Sequence, residues 1–208
     1  MITWVGWIGI FLLTIGLLAV LSAVKRRGPL AQVRGALAGL LLTAVGALAL
    51  GLRLALRGFE AFSRETLVAE AVCTRVSSAE FELHYSAAID GALLPAETFR
   101  LLGDQWALSG GIVLWHPWLT IAGAPSYHKP TRLGGRFASA EQERAQPPSV
   151  VELNGGDDPL WAWFYRLDPW LPFVDAAYGS AAFVPVDPSR RFQVFVSRTG
   201  YVIKSSRR

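Results

Sequence analysis

One cysteine in 208 residues excludes an internal disulfide and any redox pair. Three histidines at positions 84, 116 and 128 are too far apart for a helical metal pair, and none begins a H-E-x-x-H pattern. The phosphate-cradling glycine loop, the dinucleotide fingerprint and the serine-hydrolase elbow are also missing. Gly110-Gly111 and Gly134-Gly135 are turn-like pairs with no lysine or helix signal after them. No cofactor and no metal is indicated, and Cys73, in an alternating apolar stretch, reads as a buried inert thiol. Charge is scarce too, at 17% of residues against about 25% in ordinary domains, while apolar types reach 52%.

The charge is missing unevenly. Ile2 to Val24 is a run of 23 residues without one, about 34 Å as a helix against a hydrocarbon core of about 30 Å. Gly35 to Leu52 is a second run, bounded by Arg34 and Arg53, whose long side chains reach for the interface; this predicts spans over 2–24 and 35–54. A cleaved signal peptide would carry its positive charge ahead of the apolar run, whereas KRRGPLAQVR follows it, so the first run reads as a retained anchor. Two such segments in succession have no polar face to show water, which argues against core helices. Residues 1–65 therefore read as a transmembrane hairpin and stalk, and 66–208 as a soluble domain.

Orientation follows from Lys25, Arg26, Arg27 and Arg34 in the loop between the spans, which predicts a cytoplasmic loop. The protein then reads as two-pass, with both termini on the other side, which for a bacterial inner membrane puts residues 66–208 in the periplasm; Arg53, Arg57 and Arg64 pull the other way. Seven of the 20 basic and two of the 16 acidic residues precede residue 66, so that part carries +5 and the remainder −1. The basic balance belongs to membrane flanks, and no nucleic-acid face is indicated.

Gly35, Gly39, Thr43, Ala47 and Gly51 recur every four residues along the second span. In lipid, small residues let helix backbones approach closely. The ridge serves either to close the hairpin against Gly6, Gly9 and Gly16 or to bring copies together as a homo-oligomer.

The soluble part reads as α+β, a mixed and mainly antiparallel β domain with short helices. Strands are predicted at LVAEAVCTRV, FELHY, ETFRLL, QWAL, GIVLW, RFQVFVS and YVIK, with turns at Gly103-Asp104, Ser109-Gly110-Gly111 and Arg198-Thr199-Gly200. Asp158 is placed to cap a helix opened by Pro159, with Leu160, Trp161, Phe164 and Leu167 at helical spacing. That character extends towards Ala177, with a second short helix after Pro169 or Pro172. FASAEQERAQPPS is a loop or a short exposed helix.

Glu141 with Glu143, and Asp157 with Asp158, stand too close in sequence to face one substrate as an acid/base pair, and read as solvated charge and capping. Asp168 and Asp175 lie among aromatics in YRLDPWLPFVDAAYGSA, beside Tyr178, and need partners such as Arg166. Trp106, Trp115 and Trp118 fall in a strand, turn, strand unit. They serve either the core or a patch that docks on lipid or on a partner.

FRLLGDQWAL, LWHPW, GGRFASAEQER and WLPFVDAAYGSAAFVP together resemble a family of uncharacterised proteobacterial inner-membrane proteins with two N-terminal helices and one C-terminal domain. Its members often carry the label of cation or multidrug efflux pump. The resemblance implies the same two-part architecture and supplies no catalytic residues. A transporter site needs repeated multi-helix halves and buried polar groups, whereas these spans hold only Thr3, Thr14, Ser22 and Thr43 as polar side chains.

These readings lead to a membrane-anchored accessory or scaffold protein, not a transporter by itself, whose partners are the bilayer and an envelope protein. Trp106, Trp115, Trp118, Asp168, Asp175 and Tyr178 are the candidate contact residues. A tethered domain for a lipid or apolar ligand and an enzyme acting at the membrane surface are the alternatives; the latter requires Asp104, Asp168, Asp175 or a histidine to converge.

Overall fold

Apolar residues, glycine and hydroxyl side chains alone make up the helix α1 (Thr3–Ala23), and Pro29, whose fixed φ suits a first helical position, opens α2 (Pro29–Ser63). The structure, a computed structural model, describes residues 3–25 and 28–208; Ile2 of the expected first span and Arg26 and Arg27 of the orienting loop lie outside the described residues. The chain divides into two compact units, Met1–Ala61 and Phe62–Arg208.

Both helices are long and apolar enough to cross a membrane. Their large side chains point outward: Trp7, Phe11, Leu18, Leu37, Leu41 and Leu48 are all exposed. A soluble core helix turns such residues in; here glycines are turned in instead, the pattern typical of helix pairs in lipid. With 35 residues α2 is about 52 Å long and continues past the 35–54 span, the surplus carrying Arg57 and Glu60. The hydroxyls of Thr14, Ser22 and Thr43 donate to Ile10, Ala19 and Gly39 carbonyls of their own helices, so each of the three has a partner without water.

Small residues set the contact between the two helices. A Cβ on Gly16 would lie 2.5 Å from the Thr43 backbone nitrogen, and one on Gly46 2.6 Å from that of Leu13. Gly35, Gly39 and Gly46 are buried and Thr43 half-buried, whereas Ala47 and Gly51 are exposed. Steps of four residues drift about 40° each around a helix of 3.6 residues per turn. By Ala47 the ridge has left the contact, and Gly46 takes its place.

The second unit holds ten strands: β1 (Thr66–Arg75), β2 (Glu80–Ile89), β3 (Ala92–Leu93), β4 (Glu97–Leu102), β5 (Gln105–Trp115), β6 (Tyr127–Arg136), β7 (Ser149–Glu152), β8 (Val174–Pro185), β9 (Arg190–Ser197) and β10 (Gly200–Arg207). Three short helices join them, α3 (Pro117–Ala122), α4 (Ala140–Ala145) and α5 (Pro159–Leu167), with a 3₁₀ turn over Asp168–Trp170. All pairings are antiparallel. One sheet runs β10-β9-β1-β2 with β3 and β4 both on β2; the other runs β7-β6-β5-β8. The fold is the α+β arrangement expected from the sequence.

Alternation places Phe81, Leu83, Phe192 and Val194 of the first sheet against Trp106, Leu108, Ile112 and Leu133 of the second, all in one buried cluster. Trp106 meets Phe192 edge-on at 5.6 Å. Both seams of this sandwich are closed by serines: Leu102 N–H donates to Ser149 Oγ at 2.7 Å, and Tyr201 N–H to Ser180 Oγ at 3.0 Å. Edge N–H groups that would otherwise invite pairing are thereby satisfied. Gly200, at φ +130°, leaves the room Ser180 needs, since a Cβ there would lie 2.5 Å from its Oγ.

Four expectations need correction. QWAL and GIVLW are one strand, β5, and Ser109-Gly110 is not a turn but the pair that faces a bulge in β6. Trp118 sits on α3, because Pro117 cannot donate to a ladder but suits a first helical position. The strand β8 begins at Val174, inside the segment read as helical, where alanine and glycine hide β character. The strand β6 went unseen because it contains Pro130 and two glycines; Pro130 is tolerated at the bulge.

Candidate functional site

The bulge decides what the outer face of the second sheet presents. Ser109 pairs with Arg132 and Gly110 with Pro130, leaving Thr131 as the extra residue on β6. An extra residue breaks strict alternation, so Thr131 and Arg132 both line the same groove. Gly110 is required there, since a Cβ would run into the Lys129 carbonyl. Leu153 N–H to the Thr131 carbonyl (2.8 Å) and Asn154 Nδ2 to the Pro130 carbonyl (2.9 Å) hold the bulge in place.

The groove, about 410 Å³, crosses β6, β5 and β8. Its floor is Gly110, Gly111, Gly179 and Ala181, and its far wall is Trp161 with the loop before α5. That loop turns through three successive positive φ values, at Asn154, Gly155 and Gly156, and delivers Asp157 and Asp158. Asp158 caps α5 by accepting Trp161 N–H at 3.0 Å and also accepts the Tyr127 hydroxyl at 3.0 Å. Burial, and then this carboxylate, push Tyr127 up to about 12, so it remains a donor. Trp161 lies against Gly111, where a Cβ would be 2.5 Å from its ring, and gives its Nε1–H to the Tyr178 carbonyl at 3.2 Å. Among the described residues no carboxylate pairs with Arg132, and the Asp157 carboxylate has no cation.

The residues singled out from the sequence lie elsewhere and apart. Trp106 is in the core; Trp115 packs edge-on against Phe164 and donates to the Pro125 carbonyl at 2.7 Å; Trp118 is exposed. Asp168 opens the 3₁₀ turn, its carbonyl accepting Leu171 N–H. Asp175 and Tyr178 do meet, but on Arg198 and not on Arg166: the carboxylate takes Nη2 at 2.6 Å, and the Tyr178 hydroxyl donates to the Arg198 carbonyl at 2.7 Å. Asp104 accepts Ala138 N–H beyond the opposite end of β5, His84 stands between Thr74 and Thr98, and burial pushes His128 down. Among the described residues no group of three His, Cys, Asp or Glu is arranged to hold a metal ion. Thr131, Arg132 and Trp161 were not singled out. The signals available were the Gly110-Gly111 pair and the NGGDDP turn, both readable only as loops.

Burial pushes the Cys73 thiol up to about 11 and the Tyr85 hydroxyl up to about 12. Unfolded, these groups titrate near ~8.5 and ~10. Above those values the unfolded chain releases protons that the folded chain keeps. Their contribution to stability is thus complete below about pH 8.5 and is lost as pH climbs towards 11 to 12. The thermal midpoint is expected to fall between pH 8.5 and 11, with a shallower fall in Cys73→Ala; equal slopes would show that the thiol takes no part.

No family model, curated protein or solved structure matches the chain.

Proposed function

We propose that the chain is an inner-membrane-anchored accessory protein, one of the two-span family it resembles, whose C-terminal domain faces the periplasm and holds an envelope protein partner in the groove on β6, β5 and β8. The membrane helices supply the anchor. With no charge inside the apolar runs, the hairpin holds the domain and does not transport. The observation that carries the reading is the bulge, which turns Arg132 to a groove floored by glycines, where among the described residues it forms no ion pair although Glu152 lies opposite it across β6 and β7 and Asp157 and Asp158 line the same groove. A glycine floor lets a partner's backbone approach the sheet, and an unpaired guanidinium receives a partner's carboxylate through two parallel hydrogen bonds.

The alternatives find less support. An apolar ligand inside the sandwich would compete with Trp106, Phe81, Leu101 and Leu108, which fill it. A surface enzyme would need Asp104, Asp168, Asp175 or a histidine to converge, yet Asp104 precedes the Gln105 end of the β5–β8 ladder and Asp175 sits in the irregularity at its Trp115 end.

Photo-crosslinking residues at Thr131 and Ala181, in intact cells, are expected to trap one partner polypeptide that the same probe at Glu141 on α4 does not. Arg132→Glu should cut that adduct about tenfold, the effect of some 1.4 kcal/mol. Identical adducts from all three positions, or none at all, would reject the groove as the contact.

A further inference from the structure

The two sheets do not end level where the chain enters the second unit. Thr66, the first residue of β1, pairs with Val196, and Val196 with Tyr201, whose N–H reaches Ser180. Ser180 is therefore level with Thr66, yet β8 starts six residues earlier, at Val174, opposite Trp115 at the end of β5. At about 3.3 Å per residue the second sheet overhangs the chain's point of entrance by about 20 Å.

The overhang carries α3 after β5 and the 3₁₀ turn before β8, tied together by His116 N–H donating to the Phe173 carbonyl at 2.9 Å. α5 runs towards the same tip, from Trp161 at Gly111 to Phe164 at Trp115. Three indoles stand in water on these elements: Trp170 is 82% exposed, Trp118 56% and Trp163 48%. Leu160, Trp163 and Leu167 lie on one side of α5, separated by three and four residues.

An exposed apolar tip has several potential occupants, and connectivity selects among them. α2 ends at Ser63 and β1 begins at Thr66, so Arg64 and Glu65 are the whole linker. The helix has only seven residues, about 10 Å, from Arg57 to its end. A domain held on so short a tether, with its indoles on the overhanging end, meets the headgroup layer at a local concentration no diffusing partner matches. Tryptophan is also the residue type favoured at that depth, where the ring is buried and its N–H stays wet. We propose that Trp118, Trp163 and Trp170 seat the tip of the C-terminal domain in the headgroup region of the bilayer that holds the hairpin. The contact depends on the anchor and is independent of the groove.

The test uses the full chain in vesicles of phosphatidylethanolamine and phosphatidylglycerol containing a headgroup-nitroxide lipid. A fluorophore is attached through Ala122→Cys at the tip or Glu141→Cys on α4; buried Cys73 stays unlabelled. Nitroxide quenching is expected to be at least about twofold stronger at the tip. It should drop to the α4 level in Trp118→Ala/Trp170→Ala, whose substituted side chains are exposed and whose circular dichroism should be unchanged. Equal quenching at both positions overturns the proposal, as does tip quenching that survives the double substitution. A tip label shielded from aqueous iodide without nitroxide quenching also overturns it, because a protein then covers the site.

Discussion

Replacing Trp106 with alanine is expected to destabilise the C-terminal domain by about 3–5 kcal/mol, a large part of the ~5–15 kcal/mol that keeps a domain folded. The indole is fully buried between the sheets, packs edge-on against Phe192, and is the largest of the fully buried side chains. Its removal deletes apolar surface and leaves a cavity that two sheets stitched at both seams cannot close around. The Nε1–H of Trp106 is buried and has no hydrogen-bond partner among the described residues. Trp106→Phe deletes that bare donor along with part of the ring, and should cost less than half as much. Chemical denaturation of the full chain in mild detergent measures both. A loss below about 1 kcal/mol for alanine would show that this side chain does not hold the sheets together.

The second large effect belongs to the hairpin. Gly46→Leu places a side chain 2.6 Å from the Leu13 backbone nitrogen and 2.8 Å from the Gly9 carbonyl. Backbone cannot yield there, so the helices must separate towards the ~8–10 Å spacing of ordinary helix pairs. Gly51→Leu makes the opposite prediction, since nothing lies within 4 Å of its Cβ position and the residue is exposed. Spin labels at the outward-facing Leu18 and Leu37 should report a longer, broader distance for Gly46→Leu and an unchanged one for Gly51→Leu. The reverse pattern would restore the four-residue ridge as the packing face.

Features governed by nearest neighbours in sequence were readable in advance. ETFRLL is β4 residue for residue, and the Asp158-Pro159 pair starts α5 with the expected cap. The burial of Phe192, Val194 and Val196 on β9 follows their alternation. The groove was not readable, because it rests on relations between strands. The pair Gly110-Gly111 looks the same in a turn and opposite a bulge; only the pairing of β5 with β6 makes Thr131 the surplus residue and turns Arg132 to the groove. The partner of Asp175 was misjudged for a similar reason. Arg166 is near in sequence, whereas Arg198 arrives through the turn joining β9 to β10, twenty-three residues away.

The sequence alone determined that the first quarter of the chain forms helices long and apolar enough to cross a membrane and that the remainder forms antiparallel sheets with short helices. Both are consequences of composition and periodicity, which each segment carries within itself. Tertiary structure decided which glycines meet across the hairpin, which serines close the sandwich, how far the second sheet overhangs, and that Thr131 and Arg132 face the same way. Each of these is a matter of register between segments distant in sequence, and a register exists only once the two strands or helices have come together.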